Sequence, residues 1–86
     1  MAKTVALEGA RVGITANVVA PGFIKTDAYH AVQEKMRERI NKRTAMGFPG
    51  KPMDVAKTVA FLTSEKAKYI TGQVLIVGGG IDLFTF

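Results

Sequence analysis

The sequence predicts an α/β chain in which two parallel strands are joined by a crossover through helices. Residues 12–20, VGITANVVA, and 73–77, QVLIV, are apolar, β-branched runs with little alternation. That pattern suits strands covered on both faces rather than strands with one wet side. Parallel neighbours cannot be linked by a tight turn and need a long connection, and the residues between the two runs carry helical apolar spacing. Pro21-Gly22 and Gly78-Gly79-Gly80 punctuate the strand ends, since neither proline nor a glycine run sustains a strand interior.

The elements follow in order. Residues 2–10 are rich in helix formers, with Gly9 as the stop, and read as the end of a helix whose beginning is missing. The first strand covers 12–20. A helix is expected from Asp27 to Arg43, where Ala31, Val32, Met36 and Ile40 make a thin apolar stripe. A loop, Gly47-Phe48-Pro49-Gly50, precedes a stronger helix with Pro52 as its first residue and Asp54 placed to complement the helix dipole. Its stripe of Val55, Ala56, Val59, Ala60 and Leu62 is expected to pack on the sheet. A turn at 69–72 leads into the second strand, 73–77, and the crossover between the two strands is expected to be right-handed.

Eighty-six residues allow one small domain. Folding at this size buries only roughly two-thirds of the unfolded surface, and the sequence has no cysteine to add a disulfide, a reactive thiol or a Cys-ligated metal. No apolar run approaches membrane-spanning length, and Met1-Ala2-Lys3-Thr4 lacks the features of a signal peptide, so a cytoplasmic chain is expected. The net charge is +5, and ten residues, Glu34–Arg43, hold five cations and two anions, a net of +3. No aromatic residue interleaves the cations of that stretch, which disfavours stacking on single-stranded nucleic acid.

The segment GITANVVAPGFIKTD, residues 13–27, closely resembles the sixth-strand region of the short-chain dehydrogenase/reductase family, in which a strand carrying Asn runs into Pro-Gly with a Thr four residues beyond the Gly. Gly47 to Pro52 with Asp54-Val55-Ala56, then Tyr69-Ile70-Thr71-Gly72-Gln73 and Gly79-Gly80, match later parts of the same family in order and spacing, and Ala6-Leu7-Glu8 matches the end of the preceding helix. The chain therefore resembles the C-terminal segment of such a protein, of the 3-oxoacyl-carrier-protein reductase kind. The resemblance implies that residues 1–86 form a single partial domain: the C-terminal third of a doubly wound, Rossmann-type parallel sheet. Two positions depart from the family pattern, Phe48 where a basic residue is common and Gly78 where an Asp commonly precedes the Gly pair.

The resemblance further implies NAD or NADP as cofactor and ketone/alcohol interconversion as the reaction. Pro21 and Gly22 would let the backbone pass close to the nicotinamide, the Ile24 backbone would face its carboxamide, and the Thr26 hydroxyl would bond the carboxamide or a phosphate oxygen. Read from the residues alone, the same four make a Pro-Gly turn and a Thr at a helix N-cap. Residues 27–43 resemble the family's substrate lid, whose cations could meet an acidic carrier protein or a phosphorylated substrate; alone they read as a solvated helix with pairs such as Glu38 and Lys42. The family's Tyr-x-x-x-Lys pair is absent, because Tyr29 and Tyr69 are each followed four residues later by Gln, and so is the Gly-rich phosphate turn, which needs a strand before it and a helix after it. No catalytic residue is therefore assigned, and tight cofactor binding by these residues alone is not expected.

Three further groupings are weaker. Asp27, His30 and Glu34 would share one face of a continuous helix and could hold a divalent metal, although polar helix faces are usually just wet. Ser64 with His30 lacks a nucleophile-elbow pattern. Asn17, a polar residue inside an apolar strand, is expected to bond neighbouring backbone. The two functional expectations are a nicotinamide-side wall, lid and oligomer interface of an oxidoreductase, inactive alone, and a non-catalytic module that self-associates. Partners are accordingly a copy of itself, the remainder of a longer chain or an acidic carrier protein, with no nucleic acid and no membrane.

Overall fold

The computed structural model describes residues 2–81. Its centre is a pair of parallel strands, β1 (Val18–Pro21) and β2 (Val74–Val77), in the register Val18 to Val74 through Pro21 to Val77. Helix α1 (Ala2–Ala10) precedes β1, and helices α2 (Asp27–Ala31), α3 (Glu34–Lys42) and α4 (Pro52–Leu62) form the connection to β2, with a 3-10 turn at Glu65–Ala67. The α/β class and the parallel pairing are as the sequence predicts, but three boundaries differ, each for a local reason.

The first strand is half its expected length. A turn at residues 11–13 puts Gly13 at φ 80, and the Gly9 carbonyl accepts the N–H groups of both Val12 and Ile14. Residues 14–17 then meet 70–73 largely through side chains instead of a ladder. Thr71 Oγ1 accepts the Ala16 N–H at 3.0 Å, Asn17 Nδ2 donates to the Ile70 carbonyl at 3.1 Å, and the Gln73 N–H donates to Asn17 Oδ1 at 3.0 Å. Asn17 thus satisfies one donor and one acceptor of the facing segment, the structural role its place in the strand predicts. Gly9 lies inside α1 rather than ending it. A Cβ there would come within 2.9 Å of Ile14 Cβ, so the missing side chain admits the returning chain.

The expected helix 27–43 is two helices. Val32 and Gln33 are both extended, with ψ 134 and ψ 145. β-Branched Val32 gives up little by leaving the helix, and the break returns α3 so that the Arg37 guanidinium lies 5.0 Å over the ring of Tyr29. In α4, Pro52 opens the helix as expected, and the Asp54 carboxylate accepts the Lys51 N–H at 2.8 Å while the Asp54 N–H donates to the Lys51 carbonyl. Of its predicted stripe only Val55 and Leu62 are half-buried; Ala56, Val59 and Ala60 are exposed, because two strands are too narrow to cover the helix.

Among the described residues only Ala6, Ala67 and Thr44 are buried. Successive strand residues face opposite sides of a sheet, and Val74, Leu75 and Ile76 of β2 are all exposed, so α4, the helix packed on the sheet, leaves both faces of that strand incompletely covered. The accessible surface is 6802 Å², against about 4,900 Å² for a compact protein of this mass. The radius of gyration is 15.5 Å, where about 12 Å is usual for this length.

Replacement Asn17→Ala removes both side-chain bonds to the 70–73 segment, worth about 1.4 kcal/mol together. Hydrogen exchange at the Gln73 amide should quicken by about tenfold, while the Gly22 amide, bonded to Val77, should exchange as before.

Candidate functional site

The four residues singled out at the end of the first strand are brought together where β1 leaves the sheet. Pro21 is the last residue of β1 and pairs with Val77, and the next N–H, of Gly22, donates to the Val77 carbonyl at 3.0 Å. Gly22 and Gly78 touch backbone to backbone. A Cβ on Gly22 would lie 2.6 Å from Gly78 Cα, closer than any side chain tolerates. Gly22 is therefore required by close packing between two strand exits as well as by the turn.

Beyond Gly22 the chain forms a single parallel bridge between Ile24 and Gly50. Gly50 donates to the Phe23 carbonyl at 3.0 Å and accepts from the Lys25 N–H at 2.8 Å. In a parallel bridge the flanking residues make the bonds and the bridged residue's own N–H points to the opposite side. The Ile24 N–H is therefore aimed away from the Gly50 loop. The Ile24 carbonyl accepts from Thr26 N–H at 2.9 Å, and this tight turn sets Thr26 at the N-cap of α2 with extended dihedrals, φ −103 and ψ −175. Thr26 makes no side-chain capping bond and is exposed. The helix-cap reading of this hydroxyl is thus not the one the geometry uses.

The lid-like segment is fastened at both ends. At its start Tyr29 N–H donates to the Thr26 carbonyl at 3.0 Å, and the Tyr29 ring packs on Phe23 with centroids 5.2 Å apart. At its end Thr44 is 5% exposed, donates its hydroxyl to the Ile40 carbonyl at 2.9 Å and packs its methyl near Gly79; Met46 N–H donates to the Gly79 carbonyl. Nothing in the local sequence marks Thr44, whose burial depends on the distant β2 exit. Phe48 joins Met46 and Val77 around a depression of about 360 Å³ that also reaches Gly50, Asp54 and Gly78. Gly78 lies under Ile81, whose Cγ2 would be 2.9 Å from a Cβ.

The metal reading does not survive the helix break. Asp27 and His30 lie on α2 and Glu34 on α3, and no group of three acidic or histidine side chains is gathered among the described residues. His30 instead meets the Tyr29 ring edge-on at 5.4 Å, and Ser64 donates to the Phe61 carbonyl at 2.6 Å, closing the end of α4. No described helix is long and apolar enough to cross a membrane.

Two parallel strands joined through helices, with Pro-Gly leaving one strand against the glycine-rich exit of the other, place the chain in the α/β class. A family model described as enoyl-(acyl carrier protein) reductase matches residues 1–82, and the chain belongs to the short-chain dehydrogenase/reductase family. It is 51% identical over 81 residues to the 3-oxoacyl-(acyl-carrier-protein) reductase FabG of Rickettsia felis, an alignment covering 94% of this chain and 34% of the relative. The corresponding protein of Staphylococcus epidermidis is 46% identical, with 94% and 33% covered. Two crystal structures share the fold. YwfH, an NADPH-dependent reductase involved in bacilysin biosynthesis, is 37% identical with a TM-score of 0.84, covering 93% of this chain and 34% of its own. The TT0495 protein of Thermus thermophilus is 32% identical with a TM-score of 0.89, covering 96% of this chain and 36% of its own. The chain thus spans about a third of the length of the curated relatives it matches.

Gly22→Ala should separate the strand exits, at a cost of about 1–3 kcal/mol, and amide exchange at Gly22 and Lys25 should rise together. Gly47→Ala, where a Cβ meets nothing but φ is 83, should cost about 1 kcal/mol and leave those amides unchanged.

Proposed function

We propose that this chain is the C-terminal third of an NAD(P)-dependent short-chain oxidoreductase that interconverts ketones and alcohols. In this reading residues 1–86 are one partial domain supplying the nicotinamide-side wall, the substrate lid and part of an oligomer interface, in the cytoplasm. The observation that carries it is the exit of β1, where the Ile24 N–H and the Thr26 hydroxyl are both left unspent by the fold and lie two residues apart. An amide N–H and a hydroxyl at that spacing fit the oxygen and nitrogen of a carboxamide.

When bound, the nicotinamide supplies or accepts the hydride. The part of these residues is to orient its ring and to cover the reacting carbon from water with α2 and α3. Proton exchange with the substrate oxygen is left to groups outside the described residues, since neither Tyr29 nor Tyr69 has a lysine four residues on. The relatives named above, an acyl-carrier-protein-linked reductase and an NADPH-dependent reductase, support this reading, and a carrier protein is the partner proposed for it. One wall of a pocket offers too few contacts to offset the entropy of association, so the chain alone is inactive.

The second reading, a self-associating module without catalysis, has one observation in its favour: the uncovered apolar residues on both faces of β2. Fluorescence titration with NADPH separates the two. The 86-residue chain alone should show no saturable binding below about 1 mM. Supplied with the N-terminal two-thirds of the Rickettsia felis relative, it should bind, and Thr26→Ala should weaken that binding about tenfold, the worth of one hydrogen bond to a polar ligand. No binding in the mixture, or binding that Thr26→Ala leaves untouched, removes the cofactor reading.

A further inference from the structure

A groove of about 690 Å³ lies along the start of β1, away from the strand exits. One wall is formed by Thr15, Asn17 and Val19, and the other by Val59, Leu62 and Ala67, from the end of α4 and the turn after it. The pairing of β1 with β2 fixes what the first wall presents. Val18 N–H donates to the Gln73 carbonyl and Gly22 N–H to the Val77 carbonyl, so in this parallel register the backbone groups of Val18 and Ala20 face β2. The same alternation runs upstream, where the Ala16 carbonyl accepts from Gly72 N–H at 2.8 Å and the Ala16 N–H donates to Thr71 Oγ1 at 3.0 Å.

The N–H and C=O groups of Thr15, Asn17 and Val19 therefore point to the opposite edge, beside the groove, and no described residue bonds them. Proteins commonly blunt such an edge with a charged side chain or a proline. Residues 13–20 contain neither, and Pro21 closes only the far end.

We propose that a second copy of the chain docks on this edge, adding its own β1 antiparallel to the first about a twofold axis through Asn17. The proposal rests on the second reading, self-association, and names the surface that serves it. In this register Thr15 of one copy faces Val19 of the other, Asn17 faces Asn17, and each pair exchanges both of its N–H···O bonds. A shift of two residues one way sets Pro21 opposite Thr15, whose carbonyl then lacks a donor. The same shift the other way recruits Gly13, which at φ 80 is not extended. The twofold axis stands perpendicular to the joined four-stranded sheet, so both copies of α4, which packs across β1 and β2, lie on the same face. They are two strand spacings apart, about 10 Å, the distance at which helices pack. Val59, 44% exposed on the groove wall, then meets a facing helix.

The sequence has no cysteine, so introduced thiols report the register directly. Ala16 of one copy and Val18 of the other form a non-hydrogen-bonded pair with Cα atoms about 4.5 Å apart, within disulfide reach. Like residues lie about 8 Å apart and out of reach. A mixture of the Ala16→Cys chain with the Val18→Cys chain should form a disulfide-linked dimer under mild oxidation, and neither variant alone should. Val19→Pro deletes an edge N–H that the ladder with β2 does not use. In sedimentation equilibrium it should raise the dimer dissociation constant about thirtyfold, the worth of two hydrogen bonds per dimer. Ile76→Pro deletes the equivalent N–H from the free edge of β2 and should leave that constant within about twofold. Cross-linking that is absent from the mixture, or equal in the single-variant samples, overturns the proposal, as does dissociation by Ile76→Pro instead of Val19→Pro. Where Val19→Pro fails to fold by circular dichroism, the cysteine mixture decides. A mass fixed at 9.2 kDa removes self-association and the edge together, whereas a mass that rises without cross-linking in the mixture removes the edge alone.

Discussion

Everything in this chain is hung from one short parallel ladder. Four residues of β1 face four of β2, and Asn17 extends the join by bonding both Ile70 and Gln73. Because the strands are parallel and in that register, Pro21-Gly22 leaves the sheet directly beside Val77-Gly78. That adjacency forces the two glycine backbones into contact, turns the chain toward Gly50 and leaves the Ile24 N–H facing away from the bridge. A slip of one residue would exchange the faces of every strand side chain and would also destroy the exit on which the candidate site depends.

The parts legible in the sequence are those decided by local chemistry. Pro52 and Asp54 specify a helix start whatever lies around them, since one lacks the N–H that a first turn leaves unbonded and the other accepts an N–H and complements the dipole. Pro21-Gly22 ends a strand for equally local reasons. A polar Asn inside an apolar strand has few options other than bonding facing backbone. These features, with the motif spacing around them, were enough to indicate the parallel pair and the family.

What could not be read depends on partners distant in sequence. Residues 14–17 have strand propensity, yet their facing segment offers Thr71 and the Ile70 carbonyl instead of a ladder. The helix expected across 27–43 breaks at Val32–Gln33, where both residues are extended and α3 returns to set Arg37 over Tyr29, a contact that helical periodicity does not record. Thr44 is buried only because the β2 exit passes over it, and the Gly9 requirement comes from Ile14 folding back. Of the site, Pro21, Gly22, Ile24 and Thr26 were all identifiable by motif, but the reason they converge, the Ile24–Gly50 bridge, is tertiary.

The same ladder explains why the chain's apolar surface is so poorly covered. Strands patterned for burial on both faces have one helix, α4, packed across them, and fifteen large apolar side chains among the described residues remain exposed. The surface in excess of a compact protein's, about 1,900 Å², is more than the roughly 800 Å² that one partner contributes to a standard protein interface. The proposed reading has the strand pair completed by apolar surface beyond that of one copy of these 86 residues, and a second copy is the simplest source of it. Sedimentation equilibrium of the chain over a wide concentration range tests this most directly. The account predicts an average mass rising with concentration above the 9.2 kDa of one chain; a mass fixed at 9.2 kDa throughout, in a sample that also melts in one cooperative step, would contradict it.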